Sequence, residues 1–420
     1  MSGMPEVAER RLRLGIAAVA TAPRAPIRLL TFTTLYPSAA RPRHGIFVEA
    51  RLKQLLATDA VAATVVAPVP WFPSGAAVFG QYGAMARTPR VERREGVEIR
   101  HPRYLMIPKL GMRIQPWTLA WAAEREVGRL AREGLEFDLI DAHYFYPDGV
   151  AAALLARRLG KPFVVTARGS DINRIAELPG PRRAILAAAR SASRVVAVSQ
   201  ALKRAMVELG IESDRIVVLR NGVDLERFRP LDRAQARRDL GLGAAKVLVS
   251  VGNLVPEKGH DLFVDAVAAL PGIEALIVGA GRERGRLLEL IARKGLAGRV
   301  RILDEMPQER LRIVYSAADA LVLASAREGW PNVLLEAVAC GTPGVAMAVG
   351  GVPEIVAEPV AGRLAASRDG AALARAISDL LESPPDRSAV RRYAERFGWE
   401  EVARAQRDLF CAVLAETPAC

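Results

Sequence analysis

The sequence predicts an α/β protein built from two doubly wound lobes, and three observations carry that expectation. The chain has 420 residues, too many for one ordinary core and enough for two of roughly 200 residues each. Short apolar runs alternate with helical stretches through both halves, the pattern of a parallel sheet covered on both faces. Between the halves lies NGVDLERFRPLDRAQARRDLGLG (221–243), rich in charge, glycine and proline, which reads as a linker with one short helix.

The elements follow in order. Strand-like runs in the first half are IRLLTFTT (27–34), VAATVVAPV (61–69), FDLIDAH (137–143), PFVVTARG (162–169), RVVAVS (194–199) and RIVVLRNG (215–222). Helical stretches such as DGVAAALLARRLG and SQALKRAMVELG lie between them. The second half repeats the rhythm with KVLVSVGN (246–253), ALIVGAG (275–281), VRILDE (300–305), ALVLAS (320–325) and GVAMAV (344–349). A break at ESPPDR (382–387) precedes one last helix, roughly 388–415. The expected organisation is a disordered leader (1–25), a first lobe (26–222), a linker (223–243), a second lobe (244–385), and a C-terminal helix (386–420) packing back on the first lobe. Ligands of such folds bind outside the carboxyl ends of the strands, here in a cleft between the lobes.

Composition narrows the function. The net charge of +13, carried mostly by arginine, favours anionic partners such as nucleotide phosphates or acidic lipid. No recognition helix, zinc finger or RNP-like pattern is present, so nucleic acid is not an expected partner. Cys340, Cys411 and Cys420 form neither a disulfide framework nor a metal pattern, which suits a reducing cytoplasm. No apolar run approaches the ~20 residues that span a bilayer. The N-terminal RRLRLGIAAVATA imitates a secretory signal, but its apolar part is short and a core strand follows at once.

One side chain stands out. In EGWPNVLLEAVACGTPGVA (328–346), Glu336 sits mid-helix among apolar neighbours. A capping box needs its acid three residues after the cap; with Asn332 as N-cap that position is Leu335. A solvated face needs a polar stripe, and there is none. An unpaired buried carboxylate is costly, so Glu336 is expected to meet a polar ligand or a basic partner. The start of the same helix offers the N–H groups of residues 333–335 to an anion. A nucleotide fits both: phosphate at the helix tip beside Glu328, ribose hydroxyls at Glu336.

Glu328 and Glu336, with seven residues between them, resemble the E-x7-E signature of retaining glycosyltransferases of family 4, which have the two-lobed GT-B fold. EGWPNVLLEAVACGTP followed by GGVPEIV, VGNLVPEKGHD (251–261), NGVD (221–224) and AHYFYPDGVAAALLARRLGKPFVVTARGSDIN (142–173) resemble that family too, in the right order. The resemblance implies two Rossmann-like lobes, the first binding an acceptor and the second a nucleotide sugar. It implies transfer of a sugar from a UDP- or GDP-linked donor to a hydroxyl, with retention and without a metal or other cofactor. The absence of any Asp-x-Asp agrees with that last point.

Residue by residue, the resemblance makes Glu328 catalytic and Lys258 the lysine that stabilises the departing diphosphate. It places Glu336, Gly329, Trp330, Pro331, Asn332 and Val333 on the donor, with Gly350 and Gly351 beside the sugar and Met306 in the loop that holds the base. Two positions depart from the family. Asn253 stands where an arginine is usual, removing a positive charge. Arg168 stands where many relatives have a histidine, and it cannot serve as a base at neutral pH. Arg168 is expected to hold the diphosphate instead. His143, at a strand's carboxyl end, reads equally as catalytic or as packed. Asp148 and Asp171 read equally as N-caps or acceptor-side groups, and Gly45 lies on the acceptor side.

Three other readings are weaker. VGAGRERG (278–285), with Asp304 about 20 residues on, suggests a dinucleotide enzyme, but its glycines are one residue too far apart and arginines crowd the loop. A non-catalytic two-lobed sugar-binding module leaves the intact glutamates and Lys258 unexplained. A nucleotide-sugar epimerase does not need Glu328 at this spacing. YPSAARPRHGIFVEARLKQL (36–55) puts basic residues and Gly45 between the first strand and a helix, while HPRYLMIPKLGMRIQPW (101–117) mixes basic and aromatic residues around prolines. The latter reads as a long surface loop or as a wall for a lipid-linked acceptor. The expected setting is cytoplasmic, peripheral on an anionic membrane surface, and the resemblance implies a part in surface polysaccharide synthesis.

Overall fold

The structure, a computed structural model, describes residues 25–106 and 111–417. The expected leader lies outside the described residues except for Ala25, and so does Cys420. The chain divides into two compact units, residues 1–220 with 400–420 and residues 221–399.

The first unit carries strands β1 (Ile27–Phe32), β2 (Val61–Val66), β3 (Val69–Pro70), β4 (Val91–Arg94), β5 (Val97–Arg100), β6 (Arg103–Tyr104), β7 (Leu139–His143), β8 (Phe163–Ala167), β9 (Arg194–Ala197) and β10 (Ile216–Val218). Eight of them form one sheet in the order β10-β9-β8-β7-β1-β2-β5-β4, while β3 and β6 pair separately. β7 and β8 are buried at every residue, which is why their sequences are mainly apolar on both faces and not alternating, with Asp141, His143 and Thr166 as buried polar exceptions. The β4–β5 hairpin is the antiparallel edge. Sequence reasoning misses it because VERREGVEIR alternates charge with valine and isoleucine, as a half-solvated edge does.

The second unit carries β11 (Lys246–Val251), β12 (Ile273–Val278), β13 (Val300–Leu303), β14 (Ala320–Leu323), β15 (Gly344–Met347) and β16 (Gly362–Ala365), in the order β13-β12-β11-β14-β15-β16. Every recorded pairing in this sheet is parallel. Its core runs from Leu248, Ile277 and Val322 to Phe263, Leu373 and Ile377 of the covering helices.

The single C-terminal helix expected over 388–415 is two helices, Arg387–Ala394 and Trp399–Glu416. Asp386 caps the first, accepting from the Ala389 N–H at 2.9 Å. The unit boundary falls at the start of the second helix. Leu409, Phe410 and Val413 of that helix enter the first unit's core beside Leu29, Leu139 and Val164. The segment 101–117 is not one loop either: it holds β6 and the start of the Gly111–Arg132 helix, with 107–110 outside the described residues. Pro116 inside that helix has no N–H to give the Met112 carbonyl, and the Tyr146 hydroxyl donates to that carbonyl instead.

Candidate functional site

In the second unit, the candidate residues gather at the carboxyl ends of neighbouring strands. Lys258 ends a short 3-10 turn after β11, Glu328 lies in the loop after β14, and Gly350 and Gly351 follow β15. These three strands are adjacent in the sheet. The Lys258 ammonium donates to Glu328 Oε1 at 2.5 Å, and the Ala326 N–H bonds the Glu257 carbonyl at 2.8 Å, tying the two loops together. Gly350 has φ of 52°, and a Cβ there would stand 1.7 Å from the Glu328 carbonyl oxygen. Glycine is therefore required for the third loop to press on the second. Gly350→Ala is expected to push Glu328 off Lys258, lowering stability by about 1–3 kcal/mol and activity more steeply; urea unfolding beside a turnover assay measures both.

Glu336 lies in the Asn332–Ala339 helix and is 7% exposed. Tyr315 donates its hydroxyl to Oε2 at 2.9 Å, and Gln308 Nε2 approaches Oε1 at 3.4 Å. Gln308 in turn accepts from the Arg227 guanidinium. Burial drives the Glu336 carboxyl up to about 7, although both hydrogen bonds pull it down. A carboxylate can accept about four hydrogen bonds, and these described side chains fill two.

The helix start differs from expectation. Pro331 occupies the N-cap position and Asn332 is the first helical residue; its Oδ1 accepts from Asn221 Nδ2 at 3.1 Å. Of the three N–H groups expected for an anion, that of Leu334 bonds the Pro331 carbonyl at 3.0 Å. Trp330 is buried, its indole N–H on the Asn221 carbonyl at 3.0 Å, so its side chain anchors the loop and is not an open platform. Gly329 and Val333 are half-buried, and Asn253 is exposed. Met306 lies beyond β13, two strands from β11.

The first unit gathers its own group at the ends of β7 and β8. Arg168 donates from NH2 to His143 Nδ1 at 2.8 Å, and its guanidinium lies 5.1 Å from the Phe47 ring centre. His143 Nε2 faces Asp141 Oδ2 at 3.2 Å. With Nδ1 accepting, Nε2 carries the proton and donates it to Asp141. Burial lowers the His143 pKa, opposed by Asp141, so the ring is neutral. Both its nitrogens are therefore engaged, one by Arg168 and one by Asp141. Burial and Arg51 lower the Arg168 pKa to about 9, leaving it cationic at neutral pH.

The network continues inward. Gln406, on the C-terminal helix, stands 3.5 Å from Asp141 and accepts from Arg51 Nε at 2.6 Å. Asp171 accepts from the N–H groups of Phe145 (2.7 Å), Gly169 (2.8 Å) and Arg168 (3.1 Å), which pins the backbone around the pair. Asp148 accepts from Thr33 and from the backbone and hydroxyl of Thr34, fastening the turn after β7 to the end of β1. Neither aspartate caps its own helix in the simple way its position suggests. Gly45, with φ of 76°, lets the Ile46–Leu56 helix start against the Leu35 carbonyl, 2.3 Å from where a Cβ would stand.

Sequence reasoning misses Tyr315, Gln308, Asp141 and Gln406. Tyr315, Gln308 and Gln406 are distant along the chain from the residues they support, and a single buried tyrosine or glutamine carries no local signal. Asp141 stands two residues before His143 on the same strand, a spacing the sequence does show. Among the described residues, no three His, Cys, Asp or Glu side chains gather as a metal site.

Known proteins resemble the chain in sequence and in fold. The Glycosyl transferases group 1 model matches residues 232–397, and the Glycosyltransferase Family 4 model matches residues 78–227. The chain is 35% identical over 316 residues to a D-inositol 3-phosphate glycosyltransferase of Frankia alni, covering 69% of this chain and 77% of that one. It is 31% identical over 344 residues to a putative teichuronic acid biosynthesis glycosyltransferase, TuaC, of Bacillus subtilis, covering 78% and 83%. Among solved structures, sucrose-phosphate synthase from Thermosynechococcus elongatus superposes with a TM-score of 0.76 at 22% identity, over 93% of this chain and all of that one. Anabaena Alr3699/HepE in complex with UDP-glucose gives 0.69 at 22% identity, over 92% and 99%. Two parallel-sheet lobes of this kind, with both family models matched in sequence, mean that the chain belongs to the family 4 glycosyltransferases of GT-B fold.

Proposed function

We propose that this glycosyltransferase takes a UDP- or GDP-linked sugar and transfers it, with retention of anomeric configuration, to a hydroxyl of a glycan or lipid-linked acceptor. The observation that carries the reading is Glu336, a carboxylate held almost out of solvent with two hydrogen-bond donors and spare acceptor capacity. A ribose diol supplies the pair of donors that such a group lacks. In the transfer, the bond from the anomeric carbon to the diphosphate oxygen breaks and the acceptor oxygen takes that carbon. The hydroxyl proton leaves with the diphosphate. Lys258 holds the developing negative charge; Glu328 accepts one of its three N–H bonds and orients the others. Gly329, Val333, Gly351 and Met306 line the donor in this reading, and Asn253 hydrogen-bonds phosphate in place of a charge.

The relatives support an acceptor bearing several hydroxyls, since one is named for D-inositol 3-phosphate and another for teichuronic acid biosynthesis. HepE, recorded with UDP-glucose, supports a uridine donor. The proposed setting is surface polysaccharide synthesis on the inner face of an anionic membrane. No helix among the described residues is long and apolar enough to cross one. Nucleic acid has no part in the reading.

A panel of nucleotide sugars, each incubated with EDTA and without acceptor, tests the donor: one is hydrolysed slowly, and chelation does not change the rate. If none is hydrolysed or bound, the donor reading fails. Arg168→Ala is expected to lower turnover at least roughly 100-fold, while stability falls by about 1–3 kcal/mol because His143 Nδ1 is left buried without its donor. Wild-type turnover in that variant removes Arg168 from the chemistry.

A further inference from the structure

The Gly111–Arg132 helix has two faces of different purpose. Pro116, Leu119, Ala120, Ala123, Val127 and Leu130 face the interior. The outer face carries Arg113, Trp117, Trp121 and Arg125, each one helical turn from the last, with Met112 beside them. The two tryptophans are 54% and 55% exposed, and the Arg125 guanidinium sits 4.8 Å from the Trp121 ring centre. Isolated exposed apolar side chains need no explanation. Two tryptophans in register between two arginines are a different matter, because large aromatic faces in water mark interaction sites.

More apolar surface adjoins this helix. Gln115 donates to the Tyr104 hydroxyl at 3.0 Å, binding the helix to β6. The Trp71 N–H bonds the Tyr104 carbonyl at 2.8 Å as the chain leaves β3. Trp71 and Leu105, just past the ends of those strands, are both more than half exposed. Phe72 packs on Phe79 and Tyr82, holding a short turn in which Val78 is 85% exposed.

The charge around this surface has one sign. No aspartate or glutamate occurs in residues 60–91 or 99–123, although the chain holds 46. Arg87, Arg90, Arg103 and Arg113 all lie in those stretches. The first acid past them, Glu124, is engaged by Arg158. A protein partner would need an acidic, apolar face to match. An anionic bilayer supplies both properties at once: headgroup charge for the guanidinium groups, and an interfacial layer where indole rings settle.

We propose that the Trp117–Trp121 face of this helix, flanked by Arg113 and Arg125, docks the protein on an anionic phospholipid surface. The proposal deepens the functional reading above and rests on its membrane setting, but it does not depend on which sugar is moved. The turn carrying Asp148 abuts the same helix through the Tyr146 hydroxyl on the Met112 carbonyl. Docking at this face brings the ends of β1 and β7 close to the headgroups, where a lipid-borne hydroxyl would be presented.

The test uses the full chain without donor or acceptor, so its outcome is separate from the transferase reading. Vesicles of phosphatidylcholine alone, and with about one third phosphatidylglycerol, are floated with the protein at low and high salt. The protein is expected to float with the anionic vesicles, with blue-shifted tryptophan emission, and to be released by salt. The double variant Trp117→Ala, Trp121→Ala lowers partitioning at least roughly tenfold; Arg113→Gln with Arg125→Gln lowers it by roughly fivefold per arginine, on anionic vesicles only. All four side chains are on the exposed face, and unchanged circular dichroism excludes misfolding. Absence of flotation, or flotation of the tryptophan variant equal to wild type, overturns the proposal. Trp-dependent self-association without flotation also overturns it and assigns the face to a second copy of the chain.

Discussion

Lys258→Ala is expected to lower turnover by roughly two to three orders of magnitude, with a much smaller change in donor KM, because in the proposed reaction a preorganised cation at the developing charge is worth about 3–4 kcal/mol of barrier. The substitution also leaves Glu328, whose side chain is 10% exposed, without the ammonium 2.5 Å away. Repulsion between that carboxylate and the diphosphate then adds to the loss. The companion Lys258→Ala, Glu328→Gln variant removes this second term and is expected to recover part of the activity, while Glu328→Gln alone stays impaired. Steady-state kinetics on the three variants separate the terms. A Lys258→Ala enzyme with wild-type turnover removes this lysine from the leaving-group site.

Glu336→Gln is expected to make the protein more stable and less active together. The folded carboxyl titrates near 7, above the ordinary value of 4.5, because burial disfavours its charge. Below the ordinary value the group is neutral in folded and unfolded chains alike, and burial of charge costs nothing. Between the two values the unfolded chain releases the proton while the folded one keeps it, so stability falls as pH rises. Above about 7 the full cost applies, on the order of 3 kcal/mol. Glutamine keeps an oxygen for Tyr315 and removes the charge. Urea unfolding at pH 5 and pH 8 should therefore show a gap between variant and wild type that widens with pH. Nucleotide affinity of the wild type should rise over the same interval, since hydroxyls donate best to the ionised group. A gap that does not depend on pH contradicts this account.

Much of this was legible in the chain because the information is local. β7, β8, β11 and β14 are buried on both faces over nearly their whole length, so each appears as a mainly apolar run that a reader can find. The β4–β5 hairpin and the short β16 were not legible: β4 has no buried residue, β5 gives only Val97 and Ile99 to the core, and β16 is four residues long. The C-terminal region looked like one helix because nothing in its pattern reveals that residues before Trp399 pack in one unit and those after it in the other.

The candidate site divides along the same line. Glu336 announced itself as the wrong chemistry in an apolar helix, but Tyr315 and Gln308, which hold it, lie 21 and 28 residues away and were invisible. The histidine at the end of β7 reads from sequence equally as catalytic or as packed, and the structure adds that both nitrogens are engaged, one by Arg168 and one by Asp141. Asp141 shares a strand face with His143 at i, i+2, whereas the Arg168 pairing depends on sheet order, which periodicity does not encode. Tryptophans 117 and 121 were readable as aromatic residues only; that they share an outer face required the helix.

The most direct measurement is calorimetric binding of a nucleoside diphosphate and its 2′,3′-dideoxy analogue to wild type and to Glu336→Gln. If the buried carboxylate holds the ribose, the substitution weakens the natural nucleotide at least roughly tenfold, the scale of a lost hydrogen bond to a charged group, and leaves the dideoxy analogue unchanged. Equal losses for the two ligands would contradict it, and would mean that Glu336 shapes the helix without touching the sugar.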